Sequence, residues 1–102
     1  YEAALELVSL SAQVIAGLPA GLGFLAVQLR RASASVPLNL AEGCKKSSRK
    51  ERVRYFEIAA GSAREVSAIF DVAARFDGID DDARLFGKDK CDHICAMLYK
   101  FR

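Results

Sequence analysis

The sequence has little of what most catalytic and metal sites are built from. Its 102 residues include one histidine, three cysteines, one methionine and no tryptophan. A single histidine cannot easily form a Ser-His-Asp or Cys-His site with defined partners, and no glycine-rich phosphate loop, His-Glu-x-x-His motif or Cys-x-x-Cys pair is present. We therefore expect no enzymatic activity and no bound cofactor.

Long hydrophobic runs are also missing. No apolar stretch approaches the roughly 18 to 20 residues needed to cross a bilayer, because charged residues interrupt each one. The start, Tyr1-Glu2-Ala3-Ala4, has no basic leader, and an odd number of cysteines argues against a disulfide framework. These features predict a cytoplasmic protein with reduced thiols and no membrane partner.

What is present is the composition of one globular domain. Hydrophobic residues make up 52% of the chain and charged residues 27%, a balance typical of a folded domain rather than of a disordered one. A chain of this length rarely divides into two self-sufficient cores. We predict a single domain over residues 1–102.

Apolar spacing in the first half predicts two helices. The first runs from Glu2 to about Ala16 and ends at Gly17, and the second runs from about Leu22 to Glu42 with Gly43 as its C-terminal cap. Pro37 lies inside the second pattern and predicts a kink, with two shorter helices as the alternative. The apolar line of the first helix is Leu5, Val8, Ala12 and Ile15, and that of the second is Leu22, Leu25, Leu29, Ala32, Val36 and Leu40.

Capping signals in the second half predict two more helices. Ser48 to Glu51 has the form of a capping box and begins a helix that runs to Phe76, where Asp77-Gly78 stops it. The run Ile79-Asp80-Asp81-Asp82 supplies a capping carboxylate and first-turn negative charge for the fourth helix, whose start Gly87 could delay until Asp89. The apolar line of the third helix runs from Val53 to Ala73. That of the fourth helix is Leu85, Cys91, Ile94, Leu98 and Phe101. We predict an all-α four-helix bundle with short connections, and a core whose wider layers hold Phe56, Phe70, Phe76 and Phe101.

Cys91, His93 and Cys95 invite comparison with a zinc site. The two cysteines share a helical face, but His93 points about 200° of rotation away from Cys91, and a structural site needs four converging ligands. The remaining cysteine, Cys44, is distant in sequence. We predict no metal site and interpret Cys91 and Cys95 as small core residues.

A cluster of positive charge lies between the second and third helices. The basic segment, residues 45–54, carries six basic side chains against the one acid Glu51, a net charge of +5. Its basic residues are Lys45, Lys46, Arg49, Lys50, Arg52 and Arg54. Cations at the start of a helix oppose its dipole, so another role must favour them.

Binding to nucleic acid is the role that this segment predicts. Lysine and arginine side chains on a polyanion release condensed counterions, and the adjacent Tyr55 could stack on an unpaired base. The alternative is a solvated basic surface, offset by Asp80 to Asp82 of the same or another subunit. Sequence alone leaves both interpretations open.

A polar flank of the second helix predicts a buried network. Arg30 and Arg31 lie mid-helix, and Ser33, Ser35 and Asn39 follow on the same flank. We expect these side chains to hold the second helix against the third, with Glu57 or Glu65 pairing with an arginine. A second basic contact surface is the alternative.

Two long runs of the sequence, residues 28–43 and residues 56–65, resemble the signature of the bacterial 23S rRNA intervening-sequence proteins. The likeness extends to the first helix and to Ser48, Lys50 and Glu51. It implies an antiparallel up-down-up-down bundle that assembles as a homopentamer and has no enzymatic activity, whereas RNA binding is inferred from the basic segment. The same resemblance offers a related family as an alternative, the accessory variability determinant proteins of diversity-generating retroelements. These proteins share the pentameric bundle and engage RNA and a reverse transcriptase.

Two classes of function follow. The first is an oligomer that binds RNA or other nucleic acid through the basic segment. The second is a protein-interaction or scaffold oligomer, for example a reverse-transcriptase accessory protein, in which the basic segment meets the acidic residues 77–82 of a neighbour. Leu10, Leu38 and Phe86 are predicted as exposed apolar residues for subunit contacts.

Overall fold

The computed structural model describes residues 1–101 and contains four α-helices. Helix α1 spans Glu2–Gly17, α2 spans Gly23–Lys45, α3 spans Arg49–Arg75 and α4 spans Asp81–Tyr99, with a short 3-10 turn over Ala20–Leu22. Residues 1–101 contain no strand. Helix α3 packs along both α2 and α4, and α1 packs on α2 and α4. The structure confirms the prediction of an all-α protein of four helices packed as a bundle.

The apolar line predicted for α2 lies in the core. Leu25, Leu29, Ala32 and Val36 are buried, and Leu40 is partly buried at the edge of the same cluster. From α3 the core receives small side chains in its middle and larger ones toward its end. These are Ala59, Ala63, Val66, Ile69, Phe70 and Ala73. Small residues in the middle of α3 leave the room that a neighbouring helix needs to approach closely.

The face that α1 buries differs from the predicted one. The buried residues are Ala4, Leu7, Ser11 and Val14, whereas Leu5 and Ala12 are exposed. Both lines have the same 3-4-3 spacing and lie one residue, or about 100° of rotation, apart. Because α1 carries apolar residues on both of these faces, the spacing alone could not select the buried one. The buried line contains Ser11, so the line that was predicted is the more hydrophobic of the two.

Ser11 provides a first test of this packing. Its Oγ atom is buried and has no hydrogen-bond partner within residues 1–101. A buried hydroxyl without a partner costs about 1 to 3 kcal/mol of desolvation, so we expect Ser11→Ala to raise the free energy of unfolding by about 1 kcal/mol in urea denaturation. The exposed Ser9 is a matched control, because Ser9→Ala changes helix propensity on the same helix without changing a buried group. A loss of stability in Ser11→Ala, relative to that control, would contradict the prediction.

Two side-chain caps begin the later helices as predicted. Ser48 Oγ accepts a hydrogen bond from the Glu51 backbone N–H at 3.1 Å, and Asp80 Oδ1 accepts one from Ala83 N–H at 2.8 Å. The cap at Asp80 starts α4 at Asp81, so the delayed start at Asp89 was wrong. An oxygen that satisfies a free backbone donor outweighs the weak helix propensity of one glycine about two turns later.

Gly43 and Gly87 have a different role from the predicted ones. Gly43 is not a cap, because α2 continues to Lys45. A Cβ atom on Gly43 would lie 2.7 Å from Cε1 of Phe56, and one on Gly87 would lie 2.1 Å from Cε2 of Phe70. Each glycine is buried inside a helix where a ring from α3 lies against the backbone. Both serve close helix packing rather than helix termination.

Helix α3 ends at a Schellman motif in which an aspartate takes the usual position of glycine. Asp77 has a φ angle of 59°, and its backbone N–H donates to the Ala74 carbonyl at 3.1 Å. Gly78 N–H donates to the Ala73 carbonyl at 2.8 Å. This pattern satisfies the last carbonyls of the helix. The predicted stop at Asp77-Gly78 is confirmed.

Only one of the four predicted core rings is fully buried. Phe70 is inaccessible to solvent and Phe56 is half-buried, but Phe76 and Phe101 are exposed. Phe76 meets the ring of Phe24 edge-to-face at 6.1 Å, and Phe101 meets Phe56 at 5.8 Å. These two phenylalanines follow the last turns of α3 and α4, beyond the layers that the bundle can enclose. Leu85, predicted for the core, is also exposed, and the buried line of α4 is Gly87, Cys91, Ile94 and Leu98.

The polar flank of α2 joins α3, but through an exposed ion pair rather than a buried arginine. Asn39 Nδ2 donates to the carbonyl and the hydroxyl of Ser35, at 2.8 and 2.9 Å, and Ser62 Oγ of α3 donates to Ser35 Oγ at 2.8 Å. Arg31 pairs with Glu65 at the surface. Long side chains at this position reach past the helix contact into solvent, so only the short ones are half-buried.

Pro37 is buried within α2, which runs unbroken across it. The alternative of two shorter helices is therefore wrong. Proline has no N–H to give to the carbonyl of Ser33, and the Ser33 hydroxyl donates to the Arg30 carbonyl at 3.3 Å in the same turn. The kink itself stays a prediction.

Two carboxylates on the α4 interface are held ionised by basic partners. Asp71 accepts hydrogen bonds from Lys88 Nζ at 2.7 Å and from Arg84 Nη1 at 3.0 Å, and Glu6 accepts one from Lys90. The hydrogen bond from Lys88 is the main cause that lowers the pKa of Asp71. The hydrogen bond from Lys90 does the same for the pKa of Glu6.

The lowered pKa values predict acid sensitivity. A carboxyl whose pKa is lower in the folded state stabilises that state above its unfolded pKa of about 4, and this stability is lost as the pH falls through the folded pKa. We expect urea midpoints to be constant near pH 6 and to drop below pH 4. Asp71→Asn should lower the midpoint at pH 6 and reduce the drop in acid. An unchanged acid drop in this variant would show that Asp71 does not contribute to it.

Candidate nucleic-acid interface

The basic segment forms the turn that joins α2 to α3. Lys45 is the last residue of α2, Lys46 caps it, and the four arginine and lysine residues 49, 50, 52 and 54 lie in the first two turns of α3. All six therefore lie together at one end of α3. The acidic residues 77–82 follow the other end, and a helix of 27 residues is about 40 Å long. Pairing between the basic segment and Asp80 to Asp82 of the same chain, one of the predicted alternatives, is excluded by this separation.

The two lysines at the end of α2 are in favourable positions. Their ammonium groups lie 3.5 and 3.8 Å from the carboxylate of Glu42, one turn earlier. Cations in the last turn also complement the helix dipole. The local cost expected from sequence therefore applies only to the residues at the start of α3.

Arg52 contacts the backbone of the turn between α2 and α3. Its Nη1 atom donates to the carbonyl of Lys46 at 3.2 Å and to that of Ser47 at 2.8 Å. These carbonyls follow the last turn of α2, where backbone acceptors lack partners within the helix. We conclude that Arg52 stabilises the conformation of the basic segment, although sequence assigned it to the binding surface.

Tyr55 is not an open stacking platform. Lys46 Nζ lies 5.3 Å from the centre of its ring and the Arg54 guanidinium lies 5.6 Å from it. Both distances are typical of cation–π contacts. A base that stacks on Tyr55, as predicted from sequence, would therefore compete with these cations for the ring.

Four of the six basic side chains are exposed. They are Lys45, Arg49, Lys50 and Arg54. Lys45 is the most informative of them, because 71% of its side chain is accessible even though it contacts Glu42. The segment therefore presents positive charge to solvent from both helices that meet at the turn.

An apolar hollow of about 540 Å³ opens beside the basic segment. Cys44, which directly precedes the segment, and Phe56, which follows it, both line this hollow. The remaining walls come from the start of α1, the end of α2 and the end of α4. The complete lining is Tyr1, Ala4, Leu40, Ala41, Cys44, Phe56, Ile94, Met97, Leu98 and Phe101. Sequence reasoning missed the hollow, since its walls become neighbours only when all four helices pack.

The cysteine and histidine side chains do not converge. Cys91 is buried in the core as predicted, and burial raises the pKa of its thiol to about 12. Cys95 packs against that core, its Sγ atom donates to the Ala60 carbonyl at 3.6 Å, and burial raises its pKa too. Within residues 1–101 no three potential metal ligands of the His, Cys, Asp or Glu type lie together.

The fold and this surface define a class of protein: a four-helix bundle with a basic turn at one end. None of the helices described in residues 1–101 has the length and hydropathy to span a membrane. The model of the 23S rRNA-intervening sequence protein family matches residues 1–100, and the chain belongs to that family. This confirms the resemblance inferred from residues 28–43 and 56–65. The family is not a known enzyme family.

A comparison with curated proteins found no match. The relation to the accessory variability determinant proteins stays a prediction.

Proposed function

We propose that this protein is a non-catalytic, cytoplasmic, RNA-binding subunit of a homo-oligomer, and that the basic segment contacts the phosphate backbone. The observation that carries the proposal is the concentration of four exposed cations, Lys45, Arg49, Lys50 and Arg54, at one end of the bundle. Three of them lie at the start of α3, where they oppose the helix dipole. A polyanionic partner would reverse that cost.

The expected mode of binding is sequence-independent. Lysine and arginine contacts to phosphate fix position and supply affinity through counterion release, whereas base edges carry sequence information. The exposed residues of the basic segment are four cations, Ser47, Ser48 and the single acid Glu51, with no aromatic side chain among them. We therefore expect affinity for structured RNA in general, with a strong dependence on salt.

Assembly would multiply this surface. We propose the antiparallel up-down-up-down arrangement and a pentamer, in keeping with the family to which the chain belongs. Leu38 and Phe86 are exposed apolar side chains, as predicted, and Leu10 is half-buried. Several basic segments on one oligomer would bind one RNA with an avidity above that of a single chain.

The test is fluorescence anisotropy of labelled, structured rRNA fragments against the purified protein across a salt series, with the mass measured in parallel by light scattering. If about three phosphates are contacted by each chain, affinity should fall about fiftyfold between 50 and 200 mM salt. Absence of binding by a well-formed oligomer would refute the RNA-binding role.

The separation of charge along α3 favours a second candidate function. The basic segment begins that helix, and Asp77 and Asp82 are exposed beyond its end. Two copies, or this chain and a partner such as a reverse transcriptase, could meet through opposite charges in a scaffold without direct contact to rRNA. In that case the assembly mass should fall at high ionic strength, and a mass independent of salt would count against it.

A further inference from the structure

We propose that the apolar hollow receives one unpaired base of the RNA whose phosphates contact the basic segment. This inference rests on the proposed function and specifies its ligand: RNA with a bulge, a loop or a free end rather than a continuous duplex. Bases in a duplex are stacked and paired, whereas unpaired bases can be turned out of the helix and into a protein pocket.

The first argument for a base site is the position of the hollow next to the basic segment. Cys44 and Phe56 form part of its walls, and the basic segment is the stretch of chain between them. Lys45 follows Cys44 directly and is exposed, and Arg54 lies two residues before Phe56. The cations and two walls of the hollow are thus neighbours in the chain, and on this basis a base of the strand that contacts the cations is assigned to the hollow.

The second argument for a base site is the size and lining of the hollow. Its volume of about 540 Å³ lies within the range of small-ligand sites, which are mostly apolar and aromatic. Phe56 and Phe101 lie edge-to-face in its wall, with ring centres 5.8 Å apart. Phe101 is 62% exposed, so its ring is accessible to a ligand. Stacking on such a ring suits any base, because every base has a π-face.

The third argument is that the ring of Tyr55, the other candidate for stacking, already has contacts. Its ring contacts Lys46 and Arg54. Within residues 1–101, the structure places no cation over the rings of Phe56 and Phe101 in the hollow. A base entering the hollow would therefore not compete with the cation–π contacts that the Tyr55 ring makes. The hollow, rather than Tyr55, is therefore the stacking site.

The test compares two labelled RNA hairpins that differ only by a single-nucleotide bulge, at one salt concentration. We expect the bulged hairpin to bind about tenfold more tightly by anisotropy. Phe101→Ala should abolish that preference and leave the affinity for the fully paired hairpin unchanged. Phe86→Ala is the matched control, because Phe86 is also exposed, at 58%, and lies near the start of α4 rather than beyond its end. It should keep the preference.

A second measurement reports on the base and the hollow directly. With 2-aminopurine at the bulge, stacking in the hollow should quench its fluorescence on binding, and Phe101→Ala should reduce the quenching. Bound bulged RNA should also slow modification of Cys44 by a thiol reagent, with the modified peptide identified by mass spectrometry. Cys44 is exposed and Cys91 is buried, so the two sites are distinguished.

The outcomes separate this inference from the proposed function. Equal, salt-dependent affinity for both hairpins would overturn the base site and leave the RNA-binding role in place, whereas binding to neither would overturn both. Protection of Cys44 by dodecanoate but not by bulged RNA would overturn the base site and assign the hollow to an alkyl chain. A changed assembly mass in Phe101→Ala, with no bulge preference in the parent protein, would overturn it and assign the hollow to a second copy.

Discussion

Gly87→Ala should destabilise the fold by about 1 to 3 kcal/mol, the cost of adding a methyl group to a filled core. The new Cβ atom would lie 2.1 Å from Cε2 and 2.4 Å from Cδ2 of Phe70. Phe70 of α3 is fully buried in the core, so its ring cannot swing into solvent to make room. The measurement is the free energy of unfolding from urea denaturation, compared with that of the parent protein.

Gly61 is the matched control for this prediction. It lies in the middle of α3, and a Cβ atom there would have no neighbour within 4 Å. Gly61→Ala should therefore raise the free energy of unfolding by about 0.5 to 1 kcal/mol through helix propensity alone. Combining Gly87→Ala with Phe70→Leu should cost less than the sum of the two single changes, because the shorter side chain relieves the clash. Two glycine substitutions with equal effects would contradict the role of Gly87 in close packing.

Reversing the charge of the basic segment should produce the largest effect on function. With Lys45, Lys46, Arg49 and Lys50 changed to Glu, we expect the affinity for structured RNA at 100 mM salt to fall at least about a hundredfold, and the salt dependence to weaken. Arg52 is left unchanged because it holds the turn through the carbonyls of Lys46 and Ser47. Anisotropy titrations of parent and variant across the same salt series provide the measurement.

The stability of this variant should change little, so that lost binding is not lost folding. Glutamates at positions 49 and 50 suit the start of α3, whereas glutamates at positions 45 and 46 oppose the end of α2 and lose the contacts to Glu42. These two effects have opposite signs and similar size. Circular dichroism and the urea midpoint would confirm that the variant is folded.

A charge-matched control separates local from total charge. Arg49→Glu with Lys50→Glu changes the net charge by the same amount as Arg30→Glu with Arg75→Glu, which lie on α2 and at the end of α3. We expect the first pair to lower RNA affinity about tenfold or more and the second to change it less than about threefold. Equal losses in both pairs would show that only the overall charge of the protein matters.

Local signals were the most reliable part of the sequence. The caps at Ser48 and Asp80 and the stop at Asp77-Gly78 depend on a few neighbouring residues, and the structure has all three. The buried line of α2 was also correct, since Leu25, Leu29, Ala32 and Val36 are all buried. The six cations of the basic segment lie at the end of α2 and in the first two turns of α3.

Errors occurred where two faces or two roles were equally compatible with the spacing. The α1 line was assigned one residue from the buried one, and Gly43 was assigned to a helix end instead of a helix contact. Phe76 and Phe101 were placed in the core because they are large and apolar, although they lie beyond the enclosed layers. In each case the missing information was the position of a second helix, which no periodicity contains.

The sequence by itself determined that the chain forms four helices, where most of them begin and end, and that positive charge gathers between the second and the third. These properties follow from hydrogen bonds and dipoles within about one helical turn. Only the tertiary structure decided which face of α1 is buried, that Arg52 supports the turn while Lys45 and Lys50 face outward, and that an apolar hollow opens beside them. The buried face of α1 and the hollow depend on contacts between residues far apart in the chain, which exist only once the helices have packed. The contacts of Arg52 are local but depend on the conformation of the turn between α2 and α3.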